Sequence, residues 1–391
     1  MPHQRTHVVV IGGGYAGTLA ANRLRRRPDL EVTLVNPRPD FVERIRLHQF
    51  VAGTGTATTG YDALLTAGTR LLVDTATHID TAARTVHLAS GTTLDYDYLV
   101  YAVGSTAAGT AVPGAAEFAY PLAEFEQAQR LREALARAAA DAPVTIVGAG
   151  LTGLETAAEL AEQGDRTVRL ICGGLLGPAL SAPGRRSAAD RLRRLGVEVL
   201  DTAVVAEVRP GAVVLGDGTV LPSAVTVWTV GFGVPDLARA SGLSTDELGR
   251  LRTDETLTSI DDDRVIAAGD AAAPSGQPLR MSCQAAIPLG AQAADTVLSR
   301  LAGTAATPID QAFTGSALSL GRGGALIQVA RRDDTPVNLF LAGRIAATVK
   351  EAICKSTLWQ LRHEARKPGS ALWLKGGRKA TGPAATATAR S

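Results

Sequence analysis

The sequence has few cysteines, and those it has are widely spaced. Cys172, Cys283 and Cys354 are the three in 391 residues, and no two of them form a C-x-x-C pair. This spacing predicts reduced thiols in a cytoplasmic protein and not a disulfide framework. It also argues against the usual redox-active dithiol, which needs two cysteines close together in the sequence.

Long apolar runs and a strong excess of one charge are absent as well. No stretch of about 20 apolar residues occurs, so no segment is expected to span a bilayer. An apolar strand pattern begins at residue 8, which leaves no room for a signal peptide. A net charge of +2 and 46% hydrophobic residues are typical of a globular protein that does not bind nucleic acid. No metal site is predicted.

A glycine-rich motif follows the first apolar run, Val8 to Ile11. Gly12, Gly14 and Gly17 have the spacing G-x-G-x-x-G, in which glycines turn the chain, admit a pyrophosphate and let a helix pack on a strand. Taken alone, the glycines are also explained by a tight turn with no ligand. The dinucleotide interpretation predicts contacts with a cofactor from Gly12, Gly13, Gly14, Tyr15, Ala16 and Gly17.

The same construction occurs a second time, at 144–160. Gly148, Gly150 and Gly153 repeat the spacing, and an alanine-rich helix pattern follows them. In each copy a second apolar strand ends at the same distance from the first glycine, at Asn36 and at Cys172. The repeat favours two βαβ dinucleotide sites over two coincidental turns.

Two further apolar strands end in glycine, at Gly104 and at Gly269-Asp270. An aspartate at the carboxyl end of a parallel strand can bind a ribityl hydroxyl, or a phosphate through the amides beside it. The alternative is that Asp270 caps the helix that follows, since aspartate is a favoured N-cap residue.

These segments, in this order, resemble those of the flavoproteins that have two dinucleotide-binding domains. Within that superfamily the chain resembles the type II NADH dehydrogenases, in the branch that also holds the ferroptosis-suppressor and apoptosis-inducing-factor-like oxidoreductases. The resemblance implies an α/β fold with two Rossmann-like, glutathione-reductase-like domains and a small C-terminal α+β domain. It also implies FAD in the first site, NADH or NADPH in the second, and no disulfide chemistry.

The resemblance also implies domain boundaries and site residues. We expect an FAD-binding domain in two parts (1–111 and 253–305), an NAD(P)H-binding domain (112–252) and a C-terminal domain (306–391). The expected catalytic residues are Glu155, near the nicotinamide, Gln284, at the acceptor pocket, and Lys350, near the flavin. The expected cofactor contacts, besides those of the first loop, are Asn36, Pro37, Arg38, Arg44, Ala76, Ala102, Val103, Gly104, Gly269, Asp270, Ala285 and Ala286 for FAD, and Gly148, Gly150, Leu151, Thr152, Gly153, Gly173 and Gly231 for NAD(P)H.

Two positions depart from the usual pattern. Asn36 and Cys172 stand where an aspartate or glutamate usually binds the ribose hydroxyls. No carboxylate near Cys172 would then repel a 2′-phosphate, and Arg185 and Arg186 lie on the following segment. We therefore predict that NADPH is tolerated or preferred, although the two arginines are also explained as a solvated helix face.

Several neighbouring segments have more than one interpretation. The pattern of 280–301 predicts a helix after Pro288. The resemblance implies that Gln292, like Gln284, belongs to the acceptor pocket. The resemblance implies that residues 41–50 cradle FAD and border the acceptor channel, so Arg44 and Arg46 are expected contacts there. His48 is either a proton donor or a structural histidine.

The C-terminal part changes in character. After residue 306 we predict two or three strands, then a helix over 344–367, and a disordered tail over 379–391. The helix is basic and carries apolar positions, so it either lies on an anionic membrane surface or packs on the core or a second subunit. The expected location is the cytoplasm, either free or at the inner face of the cell membrane.

Three functions remain open at this point. The first is an NAD(P)H oxidoreductase that passes electrons through FAD to a quinone or another small organic acceptor. The second is a tailoring flavoenzyme that acts on a specialised small molecule. The third is an NAD(P)H-responsive flavoprotein with slow turnover, which changes partners when its coenzyme binds.

Overall fold

Each glycine-rich unit begins a parallel sheet, and these two sheets form the centre of the molecule. The computed structural model describes residues 5–164 and 166–377. The first elements are β1 (His7–Ile11), α1 (Tyr15–Leu24), β2 (Glu31–Asn36), β3 (Asp40–Val42), α2 (Leu47–Ala52), β4 (Thr58–Gly60), β5 (Thr69–Val73), β6 (Ala76–Asp80), β7 (Thr85–Leu88), β8 (Thr93–Asp95), β9 (Tyr98–Tyr101) and β10 (Thr106–Ala107).

The remaining elements belong to the middle and the end of the chain. The middle contains α3 (Ala115–Phe118), β11 (Ala119–Pro121), α4 (Phe125–Arg137), β12 (Val144–Val147), α5 (Leu151–Glu162), β13 (Val168–Ile171), α6 (Ala182–Arg194), β14 (Glu198–Leu200), β15 (Val205–Arg209), β16 (Ala212–Leu215), β17 (Val220–Pro222), β18 (Val225–Trp228), β19 (Phe232–Gly233) and α7 (Leu237–Ala240). The end contains β20 (Leu251–Thr253), β21 (Val265–Ala267), β22 (Ala272–Pro274), α8 (Cys283–Leu301), β23 (Gly315–Ser319), β24 (Ala325–Ala330), β25 (Pro336–Gly343) and α9 (Arg344–Arg366).

The first sheet has the order β21-β9-β1-β2-β5, and all its strands are parallel. Its central strand is apolar on both faces, and Val8, Val9 and Val10 are fully buried. Helices α1 and α8 cover one face, and the antiparallel sheet β6-β7-β8 covers the other. Because β21 pairs with β9, a late segment of the chain completes a sheet that the first segment begins.

The second sheet repeats this plan in the order β11-β18-β12-β13-β14. Helices α4, α5 and α6 pack on one face, and the antiparallel sheet β15-β16-β17 packs on the other. The predicted α/β class with two Rossmann-like units is confirmed. The exact domain boundaries at 111, 252 and 305 remain predictions.

Helix α8 differs from the expectation for its segment. It begins at Cys283, before Pro288, and Ser282 caps it by accepting a hydrogen bond from the Ala285 N–H at 3.3 Å. Pro288 lies inside the helix and removes one backbone donor. The helix continues through it, since burial of its apolar side chains outweighs the loss of one hydrogen bond.

The C-terminal part forms an antiparallel sheet, β23-β24-β25, followed by α9. The predicted strands and helix are therefore present, while the predicted disordered tail at 379–391 lies outside the described residues. In the described part of the chain, no helix combines the length and the apolar character needed to cross a bilayer.

Candidate cofactor and redox site

The first glycine loop has the shape that a pyrophosphate site requires. Gly12 has a φ of +100°, and a Cβ at this position would lie 2.3 Å from the Ala102 carbonyl oxygen. A Cβ on Gly17 would lie 1.8 Å from the Gly12 carbonyl oxygen, so α1 needs glycine there to reach the strand. No described atom lies within 4 Å of a Cβ built on Gly14, which leaves that side of the loop open. The loop therefore fits the pyrophosphate of FAD, facing the amino end of α1.

The second loop has the same geometry. Gly148 has a φ of +109°, and a Cβ on Gly153 would lie 1.9 Å from the Gly148 carbonyl oxygen. A Cβ on Gly150, like one on Gly14, would have no described atom within 4 Å. Thr152 and Gly231 border a narrow cleft at this edge of the second sheet, beside Trp228. The residues present therefore fit a second dinucleotide.

Asn36 has a structural contact at the first loop. Its Oδ1 accepts a hydrogen bond from the Gly13 N–H at 2.9 Å, and its Nδ2 donates to the Arg38 carbonyl at 2.8 Å. The Arg38 side chain binds Glu126 at 2.6 and 2.5 Å. Asn36, the last residue of β2, thus links the glycine loop to the turn after the strand. Contacts of Asn36, Pro37 and Arg38 with FAD remain predictions.

Arg44 and Asp270 are connected through Ser105. Arg44 Nη1 donates to the Ser105 carbonyl at 2.7 Å and to its Oγ at 3.0 Å, and this Oγ donates to Asp270 Oδ2 at 2.7 Å. The contact forms because β9 and β21 are adjacent parallel strands, so Gly104 and Gly269 leave the sheet at one edge. Asp270 lies inside the one-turn 3-10 helix Gly269–Ala271, whose N-cap is Ala268, so the N-cap alternative for Asp270 is wrong.

Small residues meet where α1, α8 and the Gly269 turn come together. A Cβ on Gly269 would lie 3.0 Å from the Ala16 Cβ and 3.9 Å from the Ala286 Cβ. Ala285 is 2% exposed. Ala102 and Val103 follow β9, and Ala76 begins β6, close after β5 in the chain. Most of the expected FAD contacts therefore come from the carboxyl edge of the first sheet.

The redox centre expected from the sequence contains a buried ion pair. Lys350 Nζ lies 3.0 Å from Glu155 Oε1 and donates to the Ala317 carbonyl at 2.7 Å. The Ser319 N–H donates to the same carboxylate oxygen at 3.0 Å. The pair joins α5, which follows the second glycine loop, to α9 and β23 of the C-terminal part. The sequence points to Glu155 and to Lys350 separately, and no pattern in it predicts their contact.

Both members of this pair are charged. Burial opposes the charge on Glu155, but the neighbouring Lys350 holds the pKa of that carboxyl below its ordinary value. Burial also opposes the charge on Lys350, whereas Glu155 raises the pKa of the ammonium group above its ordinary value. Lys350 is therefore protonated and Glu155 is deprotonated.

His48 lies against this pair without joining it. Its Nδ1 is 3.8 Å from Glu155 Oε2, which is too long for a hydrogen bond. Burial lowers the pKa of His48 to about 4, although the charge of Glu155 acts in the opposite direction. The imidazole is therefore neutral at pH 7, and its use as a proton donor remains a prediction.

The two glutamines of α8 both have protein partners. Gln284 accepts hydrogen bonds from Thr314 Oγ1 at 2.7 Å and from the Thr314 N–H at 3.1 Å, and donates to the Gly315 carbonyl at 3.0 Å. Gln292 is buried, donates to the Pro288 carbonyl at 3.2 Å and accepts from the Asp310 N–H at 2.6 Å. Gln292 thus connects α8 to Asp310, and the roles of Gln284 and Gln292 at an acceptor remain predictions.

The coenzyme end of the second sheet holds a carboxylate that sequence analysis missed. Asp201, which directly follows β14, has its Oδ1 3.9 Å from Cys172 Sγ. Arg185 donates to the Leu180 carbonyl at 2.8 Å, and Arg186 is exposed on α6. Gly173 has a φ of +66°, which lets the chain turn beside these groups.

Some site residues that were not predicted could have been recognised in the sequence, and others could not. Ser105 and Asp201 are polar residues at the ends of apolar strands, and that position could have identified them. Ser319 and Ala317 contribute only backbone groups, which any residue type provides.

The sequence matches the family model described as pyridine nucleotide-disulphide oxidoreductase over residues 6–290. The chain belongs to this family. It is 33% identical over 349 residues to an NADH dehydrogenase-like protein of Mycobacterium tuberculosis, covering 82% of this chain and 87% of that protein. It is 30% identical over 349 residues to the type II NADH:quinone oxidoreductase of the same organism, covering 77% and 74% of the two chains.

Solved structures agree on the fold of this pyridine nucleotide-disulphide oxidoreductase. The NDH2 structure from Plasmodium falciparum in complex with NADH has a TM-score of 0.79 at 16% identity, covering 93% of this chain and 97% of that chain. The sulfide:quinone oxidoreductase of Aquifex aeolicus has the same TM-score at 20% identity, covering 92% of each chain. The cofactors of the chain are FAD and NAD(P)H.

The family is named for disulphide chemistry, but the cysteines of this member are free thiols. Burial raises the pKa of Cys283 to about 11. Burial, with a smaller effect from Asp201, raises the pKa of Cys172 to about 12. Both thiols are protonated at neutral pH, and protonated thiols are poor nucleophiles. Electron transfer without a dithiol remains a prediction that these environments favour.

Proposed function

We propose that this flavoprotein passes a hydride from NAD(P)H through FAD to a quinone-like acceptor, without a redox disulfide. The observation that carries the proposal is the buried Glu155–Lys350 pair, which links the helix after the coenzyme loop to the C-terminal part. The names of several relatives, which are NADH:quinone oxidoreductases, support the same acceptor class.

In this proposal FAD transfers the electrons, and the protein supplies a proton. FAD, when bound, takes two electrons as a hydride and returns them to an acceptor. Reduction of a quinone to a hydroquinone takes up the equivalent of one hydride and one further proton, and Lys350 Nζ holds one proton beside Glu155 Oε1. The carboxylate and the ammonium group are both nearly buried, so few water molecules compete with a bound acceptor for this proton.

The test is stopped-flow reduction of the purified holoenzyme by NADH and by NADPH, followed by reoxidation with menadione, a ubiquinone analogue and air. We expect rapid bleaching of the flavin and faster reoxidation by the quinones than by air. Failure of both quinones, with turnover of another small molecule, would favour a tailoring enzyme. Slow reoxidation by every acceptor, with dimerisation dependent on the coenzyme, would favour an NAD(P)H-responsive flavoprotein.

We also propose that the exposed apolar side chains of α9 and β25 contact an anionic membrane surface. Ile345, Val349 and Ile353 follow one another at helical spacing and are 70%, 37% and 38% exposed. Leu339 on β25 is 62% exposed, and Lys355, about a third of a turn from these side chains on α9, adds an exposed cation. Apolar and basic side chains on one surface are typical of helices that lie in the membrane interface.

Sedimentation with vesicles tests this surface. The wild type should bind vesicles that contain anionic lipid more strongly than neutral vesicles, and a Leu339→Ser/Ile345→Ser variant should lose most of the binding. Val73→Ser, which changes an exposed side chain of β5, is the control. If the protein instead elutes as a dimer that the double variant converts to a monomer, the surface is a subunit interface.

A further inference from the structure

A cavity of about 600 Å³ lies between α9, α2 and the turn that joins β23 to β24. Its walls include Gln49 of α2, Ser319 and Arg322 of the turn region, and Arg344, Lys350 and Lys355 of α9. This volume is within the range of ordinary small-molecule sites. None of the expected cofactor loops contributes to its walls.

The walls have an excess of positive charge. Arg322, Arg344 and Lys355 face the cavity, as does Lys350, whose charge is balanced by Glu155 behind the wall. Glu351 is the one carboxylate among the described residues that line the cavity. Glu351 is already neutralised, because Arg46 donates to its two carboxylate oxygens at 3.0 and 3.1 Å. Its pKa is lowered by this hydrogen-bonded arginine.

The arginines at the mouth have little compensation from carboxylates. Arg322 lies 3.9 Å from Glu351 Oε2 and is exposed. Arg344 is exposed, and within residues 5–164 and 166–377 no carboxylate forms an ion pair with it. It is also the first residue of α9, where the helix dipole already favours an anion and disfavours a cation. These charges are therefore available to a ligand.

The floor of the cavity reaches the redox centre. Lys350 lines the cavity and lies 3.0 Å from Glu155, and Ser319, another wall residue, donates to the same carboxylate. The mouth is also separate from the apolar stripe of α9. At about 100° per residue, Arg344, Thr348 and Lys355 lie roughly a third of a turn from Ile345, Val349 and Ile353. A ligand from water can thus enter without crossing the apolar stripe.

We propose that this cavity binds an electron acceptor that carries an anionic group, such as an aromatic quinone with a sulfonate, carboxylate or phosphate substituent. The inference rests on the proposed quinone reductase function and names its substrate class. Arg322 and Arg344 bind the anionic group at the mouth, and the ring extends toward Lys350. One NAD(P)H, one proton and one quinone give NAD(P)⁺ and one hydroquinone, and the anionic substituent is unchanged.

Steady-state kinetics of the holoenzyme with a matched pair of acceptors tests the proposal. The pair is 9,10-phenanthrenequinone and 9,10-phenanthrenequinone-2-sulfonate, whose sulfonate lies on an outer ring and is not displaced by lysine amines. In an Arg322→Gln/Arg344→Gln variant, kcat/KM for the sulfonate should fall about tenfold, and kcat/KM for the neutral quinone should change less than about twofold. The control Arg130→Gln/Arg137→Gln removes two exposed arginines from α4 and should leave both values unchanged. Equal losses for both quinones, or no loss for either, would overturn the proposal.

A binding measurement separates this inference from the proposed function. Naphthalene-2-sulfonate, which is not an electron acceptor, should bind the oxidised holoenzyme, and the Arg322→Gln/Arg344→Gln variant should bind it about tenfold more weakly. If neither quinone is reduced but this binding occurs, the reductase function fails and the anion site stands. If naphthalene-2-sulfonate does not bind, the proposed anion site is wrong. If glycerol 3-phosphate displaces the bound naphthalene-2-sulfonate as strongly as unlabelled naphthalene-2-sulfonate does, the proposal is also overturned, because the cavity then recognises an anionic group, such as a lipid headgroup, without an aromatic ring.

Discussion

At the scale of single residues, His48 makes stability depend on pH. Burial lowers its folded-state pKa to about 4, compared with about 6.5 in an unfolded chain. Between these values the unfolded chain binds more protons, so stability falls as the pH falls, by about 1.4 kcal/mol per unit for one group. From pH 6.5 to pH 5 this amounts to about 2 kcal/mol.

Urea unfolding at pH 7, 6 and 5 measures this dependence. A His48→Gln variant should lose the part of the slope that His48 contributes, because glutamine does not titrate. His87→Gln, which changes an exposed histidine of β7, should keep the slope of the wild type. Identical slopes for the His48 variant and the wild type would show that folding does not shift the pKa of His48.

Asp201 is predicted to act on coenzyme choice. Its carboxylate lies beside Cys172, where the adenosine ribose of the coenzyme is expected, and a 2′-phosphate there would meet a like charge. Asp201→Asn should raise the ratio of kcat/KM for NADPH to that for NADH by about tenfold. If this ratio does not change in Asp201→Asn, the adenosine ribose of the coenzyme does not lie beside Asp201. In the wild type, a preference for NADH of tenfold or more would refute the sequence-based prediction that NADPH is tolerated or preferred.

Individual residues of the site could be predicted, but their contacts could not. Glu155 and Lys350 were identified from a resemblance of short segments around each of them. Their 3.0 Å contact depends on how α9 packs against α5, and no local pattern encodes that packing. Asp201 was missed because the carboxylate expected at the end of β13 stands at the end of the neighbouring strand, β14.

At the scale of elements, a substitution in the first glycine loop is predicted to weaken FAD binding without affecting folding. A Cβ on Gly14 meets no described atom, and its φ of −73° suits alanine, so Gly14→Ala should fold normally. The added methyl group occupies the open side of the loop, and the affinity for FAD should fall at least about tenfold. Gly109→Ala, in an exposed loop with equal space, is the matched control.

Reconstitution of the apoprotein with FAD, followed by flavin fluorescence, gives both affinities. Loss of affinity in both variants, or in neither, would contradict the assignment of the first loop.

Element types were easier to predict than element ends. The spacing of Gly12, Gly14 and Gly17 fixes a strand, a turn and a helix within a few residues, because each glycine meets a steric requirement. The start of α8 was predicted too late, because Pro288 was expected to interrupt the helix. The Ser282 cap and the burial of Ala285 and Ala286 favour the earlier start.

At the scale of the whole molecule, Glu364 ties the C-terminal segment to the first domain. It is fully buried and accepts hydrogen bonds from the Gly369 and Ala371 N–H groups, each at 2.6 Å. Arg23 of α1 lies 3.4 Å from the same carboxylate. Glu364→Leu removes these bonds and should lower the free energy of unfolding by about 3 kcal/mol.

Chemical denaturation of the holoenzyme measures this change. Glu133→Gln breaks an ion pair with Arg137 whose side chains are 66% and 69% exposed, and it should cost less than about 0.5 kcal/mol. If the two variants lose equal stability, the C-terminal segment is not part of the cooperative unit.

The position of β21 in the first sheet determines when this sheet can be completed while the chain is being synthesised. Because β21 pairs with β9, the first sheet lacks an edge strand until Val265–Ala267 has left the ribosome. By then all strands of the second sheet have already emerged and can fold. A nascent chain released before that point would expose the bare edge of β9, and the protein cannot be divided by one cut into two self-sufficient halves.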